Sequence, residues 1–310
     1  YTFFFRTEII CFVAKMFSLY NYDYSSGEYS SEDDGSDVDR EQFDNKIRSY
    51  FSKLKYKRRK RLKKVSGIQG VQKHMHRVFS RESVLFCVDI EAWERNTDVI
   101  TEIGVSIYDP RHQELALTPN IKTYHISISE NRHVKNGQFV PEHSQNFSGA
   151  STHVLTLNEA RWLLQGLVDH YFDESLPIHC SLVGHDLNGD LKWLARLGVR
   201  IRANVRKLDT QTVFAYTHGQ EGASLKNALR RVNQPFAFLH NAGNDAYFTI
   251  MLALKLCDPS VRQLTRIDFL RDGEVYGKPV KYEKIDTNKS TEARDYVYDI
   301  LTDATNQLSL

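Results

Sequence analysis

The chain has 310 residues, of which 41% are hydrophobic and 26% charged, a composition that supports a folded core and excludes wholesale disorder. No stretch approaches the roughly 20 apolar residues of a membrane span, which predicts a protein without a transmembrane helix. The four cysteines form no CxxC pair, so a disulfide scaffold or zinc module is not expected, and a reducing, intracellular location in the nucleus or cytoplasm is predicted.

The net charge of +2 conceals an uneven distribution of acidic and basic residues along the chain. Residues 23–44 hold nine acidic residues among Ser, Gly and Tyr, and we expect this block to be disordered and solvated. Residues 45–81 then hold fourteen Lys and Arg and no acid. Part of this region is expected to form an amphipathic basic helix, because apolar residues recur there at helical spacing: Phe43, Ile47, Phe51 and Leu54.

The segment KLKYKRRKRLKK, residues 53–64, has nine basic residues in twelve positions. One interpretation is a phosphate-binding segment for nucleic acid, carried by Lys57, Arg58, Arg59, Lys60 and Arg61. The other is a nuclear-localisation signal at KRRKRLKK. The two interpretations are compatible, and the sequence leaves both open.

The globular pattern begins near Ser83. Three β-rich runs predict a meander of strands at Val84–Ile90, Val99–Tyr108 and Ile121–Ile128. The polar stretch 129–155 shows no clear period and is interpreted as an insertion.

Helices and strands then alternate. Thr156 and Glu159 form a capping-box pattern that opens a helix running to about Phe172. The remaining predicted elements are a strand at Ser181–Val183, a helix at Leu187–Leu197, a strand at Val205–Leu208, a helix from the Ser224 cap to Val232, and a helix at Asn244–Leu256. This order indicates an α/β domain with a mixed sheet. The predicted domains are a charged N-terminal region at 1–82, the α/β domain at 83–258 and a C-terminal extension at 259–310.

Asp89 and Glu91 stand at the end of the first predicted strand. Two residues apart on a strand, their side chains point to the same face. Two carboxylates on one face repel each other unless a cation lies between them, so the pair is a candidate metal site. The alternative is a strand end that reaches solvent, where acidic residues are common.

The segment LVGHDLNGDLKWL, residues 182–194, carries two more aspartates. Asp is preferred at helix N-caps because its side chain accepts backbone N–H bonds, and Asp186 is therefore interpreted as the cap. Asp190 falls in the first turns of the helix, near the strand ends where α/β proteins bind ligands. It is interpreted as the residue that takes part in chemistry.

The segment HNAGNDAYFTIMLAL, residues 240–254, places His240 five residues before Asp245. Gly243 between them permits a sharp turn into the helix. A single His is more often structural than catalytic, but a His just before an acid, in a chain with three other candidate acids, points to a catalytic site.

Together, the order Asp-x-Glu, then Asp, then His-x4-Asp resembles the DEDDh 3′–5′ exonucleases of the ribonuclease H-like superfamily. The resemblance covers about residues 83–257 and includes the LDT at 208–210. The spellings DIEAWE, VGHDLNGD and HNAGNDA are similar to a fungal subgroup. That subgroup includes mRNA-transport regulators linked to a DEAD-box export helicase and an exonuclease that partners Argonaute.

The resemblance implies a ribonuclease H-like mixed sheet flanked by helices and a nuclease that uses two Mg²⁺ or Mn²⁺ ions. Asp89 would bridge both ions, Glu91 and Asp190 would complete one side, and Asp245 would hold the other. His240 would be the general base that deprotonates the attacking water. The implied partners are single-stranded nucleic acid, with RNA favoured, and ribonucleoprotein or helicase proteins.

The chain departs from the family pattern in two places. Asp186 stands where many members have Asn, and Ala92 stands where many have a Thr that seats the 3′ end. Trp93 follows and is interpreted either as a residue that stacks on the terminal base or as rim packing.

Two classes of function stay open. The first is an active exonuclease, favoured because a binding-only protein has no reason to keep all four acids and the histidine. The second is an exonuclease-like binding module that acts in mRNA export or ribonucleoprotein assembly without turnover. A nuclease of another ribonuclease H-like class is a third interpretation, which the spacing of His240 disfavours.

Overall fold

A computed structural model of the chain describes residues 35–53, 65–111, 113, 116, 118–218, 223–265 and 267–268. The strands, numbered along the chain, are β1 (Ser83–Trp93), β2 (Asn96–Tyr108), β3 (Ile121–Ile128), β4 (Thr152–Leu155), β5 (His179–Gly184) and β6 (Arg206–Asp209). The helices of the described ranges are α1 (Gly35–Lys53), α2 (Val65–Val78), α3 (Leu157–Tyr171), α4 (Leu187–Leu197), α5 (Thr210–His218), α6 (Leu225–Arg231), α7 (Ala242–Cys257) and α8 (Pro259–Thr265). Among these helices, none combines the length and the apolar character needed to cross a bilayer.

The six strands form one mixed sheet in the order β4-β3-β2-β1-β5-β6. The predicted meander β1–β2–β3 is antiparallel, and β4, β5 and β6 each pair in parallel with a neighbour. The predicted fold class, a ribonuclease H-like mixed sheet flanked by helices, is confirmed. β1 is central, so whatever lies at its C-terminal end is surrounded by neighbouring strands.

The sheet separates two apolar cores because successive side chains on a strand point to opposite faces. Val84 and Phe86 of β1 pack in the core that contains residues of α3 and α4. Leu85 and Cys87 pack in the other core, with α7 and the helices around it. The side-chain alternation of β1 therefore directs Asp89 and Glu91 toward the α7 face.

The N-terminal helices α1 and α2 contribute to the α7-side core. Ile47 of α1 and Met75 of α2 are fully buried there. The partly helical basic region is confirmed, but disorder is wrong for residues 35–44, which form the first half of α1. Packing of an apolar face stabilises a helix that local composition does not favour. Residues 23–34 lie outside the described ranges, and the domain boundaries at 82 and 258 stay predictions.

The predicted capping box of α3 is confirmed. The backbone N–H of Glu159 donates to Thr156 Oγ1 at 3.3 Å, and that of Thr156 donates to Glu159 Oε2 at 2.8 Å. Ser224 occupies the N-cap of α6, but its side chain makes no capping hydrogen bond. The strand β4, which was not predicted, lies at the end of the stretch 129–155 that was interpreted as an insertion. Its four residues pair with β3, and so short an edge strand gives little periodic signal.

Candidate active site

The first two acidic side chains lie where β1 ends. In the antiparallel ladder with β2, Asp89 is opposite Gly104 and Glu91 is opposite Glu102. The register shifts directly after Glu91, so the strand is irregular from Ala92 onward. The chain thus presents both carboxylates on one face at the last regular positions of a central strand.

The third acid, Asp190, lies in the first turn of α4 and is buried. The helix follows β5, which pairs in parallel with β1, so its N-terminus lies at the end of the sheet where β1 also ends. The backbone of Ile90, between Asp89 and Glu91, is close enough to Asp190 to act on its pKa, in the lowering direction.

The fourth acid, Asp245, is buried in the first turn of α7, and His240 immediately precedes that helix. Asp245 Oδ2 accepts a hydrogen bond from the backbone N–H of His240 at 2.8 Å. His240 Nδ1 lies 3.9 Å from Glu91 Oε1, and one ligand atom from each of Glu91, His240 and Asp245 lies within 4.8 Å of the others. These three residues therefore surround one small volume.

The carboxyl groups repel one another. Burial, and then the charges of Asp245, Asp190 and Glu91, raise the pKa of Asp89 well above its usual range. Burial followed by the charge of Asp245 raises the pKa of Glu91 to about 8. Burial also raises the pKa of Asp190 and that of Asp245 to about 7 each. At neutral pH the cluster is stable only with bound protons or bound cations.

The donor set fits divalent cations. Four carboxylates offer hard oxygen ligands, which Mg²⁺ and Mn²⁺ prefer. Asp245 Oδ1 is buried and has no hydrogen-bond partner among the described residues, although buried polar atoms are almost always paired. A cation at this oxygen would supply the missing partner.

The ring of His240 is 48% exposed at the opening of the cluster. Its backbone is left-handed, with φ of 69°, a conformation that is uncommon outside glycine and that recurs at functional sites. Burial lowers the pKa of His240, and the charges of His143 and Lys226 act in the same direction. The neutral imidazole, which can accept a proton, is thus favoured at neutral pH.

Asp186 stands at the N-cap of α4, but its side chain makes no capping hydrogen bond. The capping prediction was wrong because an N-cap side chain reaches the helix amides from an extended backbone, and Asp186 is left-handed, with φ of 67° and ψ of 51°. Its backbone N–H instead donates to Asp209 Oδ1 at 3.1 Å, and its side chain is exposed.

The polar stretch after β3 packs against the end of β1. Asn136 Nδ2 donates to the carbonyl oxygen of Ala92, and the backbone N–H of Phe139 donates to Glu94 Oε2 at 2.8 Å. Trp93, between these anchors, is half-buried. The basic residues predicted to contact nucleic acid, Lys57, Arg58, Arg59, Lys60 and Arg61, lie outside the described residues.

Three buried polar residues behind the cluster were not predicted from the sequence: Glu102, His125 and Asn241. His125 Nε2 lies 2.7 Å from Glu102 Oε2, and Asn241 Nδ2 donates to the same oxygen at 3.3 Å. The sequence did contain a signal for Glu102. It is a charged residue at a position of β2 where the alternation of the strand places the side chain in the core.

The comparisons with known proteins agree with this architecture. Residues 84–256, more than half of the chain, match the family model of the DEDDh domain described as DNA polymerase III subunit epsilon-like, C-terminal domain. Two similar proteins come from Saccharomyces cerevisiae. An uncharacterized protein, YDR514C, is 36% identical over 214 residues, and Good for full DBP5 activity protein 2 is 35% identical over 223 residues.

A third relative, from Schizosaccharomyces pombe, is the uncharacterized nucleolar protein C2C4.08, 28% identical over 210 residues. The three alignments cover 62%, 64% and 62% of this chain. The chain spans less than half of the two budding-yeast proteins, 44% and 39%, and 80% of the fission-yeast protein. The family match covers the sheet and all five candidate residues, so the chain belongs to the DEDDh family of DNA polymerase III epsilon-like domains.

Proposed function

We propose that the chain is a metal-dependent 3′–5′ exonuclease that hydrolyses phosphodiester bonds of RNA or single-stranded DNA. The observation that carries the proposal is the convergence of Glu91, Asp245 and His240 on one small volume, beside the half-buried Asp89 and the buried Asp190. Four mutually repelling acids at one end of a sheet destabilise a fold. Metal-dependent chemistry gives a reason to keep them.

The carboxylates of Asp89, Glu91, Asp190 and Asp245 would hold two divalent ions, Mg²⁺ or Mn²⁺. When bound, such ions stabilise the negative charge that develops on the attacking and leaving oxygens. His240 accepts the proton of the attacking water, since its ring reaches solvent and its neutral form is favoured at neutral pH. The hydrogen bond from the backbone N–H of His240 to Asp245 holds these two residues close to each other.

Single-stranded RNA is the favoured substrate, and its phosphates would contact the basic segment around Lys57–Arg61. This segment lies in the chain between α1 and α2, and both helices contribute residues to the core. Burial lowers the pKa of Arg77 on α2, and the nearby positive charge of Arg206 acts in the same direction. Arg77 of α2 and Arg206 of β6 therefore lie near each other and would add two positive charges for phosphate contacts. Trp93, at the rim beside Glu91, would stack on a terminal base.

A second candidate function is a binding module in mRNA export that lacks turnover. It is favoured by one relative, whose name links that protein to full activity of DBP5. A helicase or ribonucleoprotein partner is compatible with both candidates. The nucleolar description of the fission-yeast relative and the KRRKRLKK run favour a nuclear location for this chain.

The deciding experiment compares the wild-type protein with Asp89→Asn on 5′-labelled single-stranded RNA and DNA, with Mg²⁺, Mn²⁺ or EDTA. We expect ladders of shortened 5′-labelled products with either metal, none with EDTA and none with Asp89→Asn. Asp98→Asn is the matched control, because Asp98 is exposed on the neighbouring strand and ion-paired with Arg196. Wild-type RNA binding without metal-dependent shortening would instead support the binding module.

A further inference from the structure

His240 and Asp245 owe their positions to the beginning of α7, so whatever holds that helix end controls the geometry of the cluster. Asn241 caps the helix, because its Oδ1 accepts the backbone N–H of Asn244 at 3.1 Å. The cap lies between the two candidate residues in the chain. A displacement of this turn would therefore move His240 and Asp245 relative to Asp89 and Glu91.

The end of α7 is bound by a side chain from another element. Glu102 Oε2 accepts the backbone N–H of Ala242 at 3.3 Å and Asn241 Nδ2 at 3.3 Å. The first N–H groups of a helix have no partner within the helix, and its N-terminus carries partial positive charge. Glu102 of β2 thus supplies both a hydrogen-bond acceptor and a complementary charge to α7.

Glu102 also contacts a histidine of β3, on the side away from β1. His125 Nε2 lies 2.7 Å from Glu102 Oε2, a distance at which the imidazole N–H donates to the carboxylate, and His125 Nδ1 lies 2.9 Å from Thr152 Oγ1. The side chains are 0% and 6% exposed for His125 and Glu102. Four elements are joined by this chain of contacts: β4, β3, β2 and α7.

Close packing leaves the helix end no space to move inward. A Cβ on Gly104 of β2 would overlap the backbone carbonyl of Ala242. A Cβ on Gly243 would lie 2.8 Å from the Cβ of His125 and as close to the ring of Phe147. The helix therefore rests directly on β2 and β3 at the point where Glu102 and His125 reach it.

We propose that Glu102 and His125 are positioning residues of the active site, which hold the α7 N-terminus so that His240 and Asp245 meet the acids of β1. This inference rests on the proposed function. Burying a carboxylate is costly, and apolar residues of similar volume often replace buried ion pairs without loss of stability. The same two strands carry a neutral pair, Ser106 and Thr123, whose hydroxyl oxygens are 2.9 Å apart. Among the described residues, neither hydroxyl forms a hydrogen bond with α7. Pairing between these two strands therefore does not need a carboxylate, whereas the contact of Glu102 with α7 uses one.

The test is Glu102→Gln, which keeps the volume and removes the charge, compared with Ser106→Ala as the matched control on the same strand. For Glu102→Gln we expect kcat for trimming a short oligonucleotide to fall roughly tenfold to hundredfold, because small misplacements of reacting groups have effects of this size. KM is expected to stay unchanged. The amide of Ala242 is expected to exchange faster with solvent, since its acceptor is weakened. Ser106→Ala should change neither kcat nor this exchange rate.

Equal kcat and equal Ala242 exchange in Glu102→Gln and the wild type would overturn the inference. So would a loss of kcat that Ser106→Ala reproduces. If Glu102→Gln does not fold, Thr152→Val provides the test, because it releases only the far end of His125 and should lower kcat in the same direction. If the wild type shows no Asp89-dependent trimming, the proposed function fails, and the Ala242 exchange rate still decides whether Glu102 holds α7.

Discussion

His240 is the proposed general base, so its side chain should be needed for hydrolysis and not for binding. Its left-handed backbone restricts the choice of substitution, and Asn tolerates this conformation better than Ala. We expect His240→Asn to lower the trimming rate roughly 10²- to 10⁴-fold, the usual contribution of a positioned general base. Single-turnover rates, measured with the affinity for the same oligonucleotide, check this prediction. A parallel loss of affinity would show that the histidine is structural.

Two neighbouring aspartates, one at the N-cap and one in the first turn of α4, provide a matched pair of variants. Asp190→Asn should abolish trimming, because a neutral amide cannot replace a buried carboxylate ligand beside Ile90. Asp186→Asn should be nearly silent, since the Asp186 side chain is exposed and makes no capping hydrogen bond. Both variants should bind the same oligonucleotide. If Asp186→Asn were inactive and Asp190→Asn active in the same assay, the site residue would be Asp186.

At the scale of elements, the ends of β1, α4 and α7 meet at one place, and their acids make the fold pH-dependent. A carboxyl group whose pKa is raised in the folded state favours folding at low pH, and this contribution is lost as the pH rises through the folded-state pKa. For Glu91, Asp190 and Asp245, with pKa values of about 8, 7 and 7, the loss falls between about pH 4 and pH 8. The metal-free protein should therefore have a lower Tm at pH 8 than at pH 5.

Divalent cations should reverse this loss, because they bind the ionised carboxylates and not the protonated ones. We expect Mn²⁺ to raise Tm more at pH 8 than at pH 5. Asp190→Asn should reduce both the pH dependence and the Mn²⁺ effect. Thermal unfolding of the wild type and this variant, with Mn²⁺ or EDTA at both pH values, measures the two effects together. A Tm that rises with pH in EDTA would contradict the raised pKa values.

How well each element could be predicted depends on the range of the contacts that stabilise it. The capping box of α3 joins residues three apart, so Thr156 and Glu159 predicted the start of the helix from the sequence alone. The first half of α1 reads as an acidic, disordered block. It is helical and continues into a second half whose Ile47 and Tyr50 are buried among distant residues. Such partners are brought together only by the fold.

At the scale of the whole molecule, the basic segment should govern how tightly nucleic acid binds. We expect Arg58→Gln, Arg59→Gln and Arg61→Gln together to weaken single-stranded RNA binding. The slope of the logarithm of the binding constant against the logarithm of the salt concentration should become shallower by up to about 2. The reason is that each phosphate contact on a single strand contributes about 0.7 to this slope. Trimming of a short oligonucleotide at saturating concentration should be unchanged, since the acid cluster is intact.

Three arginines on the α3 side of the molecule give a control that removes the same charge: Arg161, Arg200 and Arg202 line one cavity there. Replacing these three with Gln should leave the RNA affinity and its salt slope closer to the wild-type values. Binding curves at low and moderate salt compare the two triple variants directly. Identical slopes for both would leave the KRRKRLKK run as a localisation signal only.

The sequence by itself determined the order of four acids and one histidine and the type of element that carries each. These features depend on short-range rules, since alternation along β1 places Asp89 and Glu91 on one face and a cap residue opens α7 just after His240. The tertiary structure alone decided which side chains contact one another around the site. Glu102 reaches α7 because the register of β2 against β1 and β3 places it there, and Asp186 loses its capping role because its backbone is left-handed. Both outcomes depend on contacts between residues far apart in the chain, which no local pattern of residues encodes.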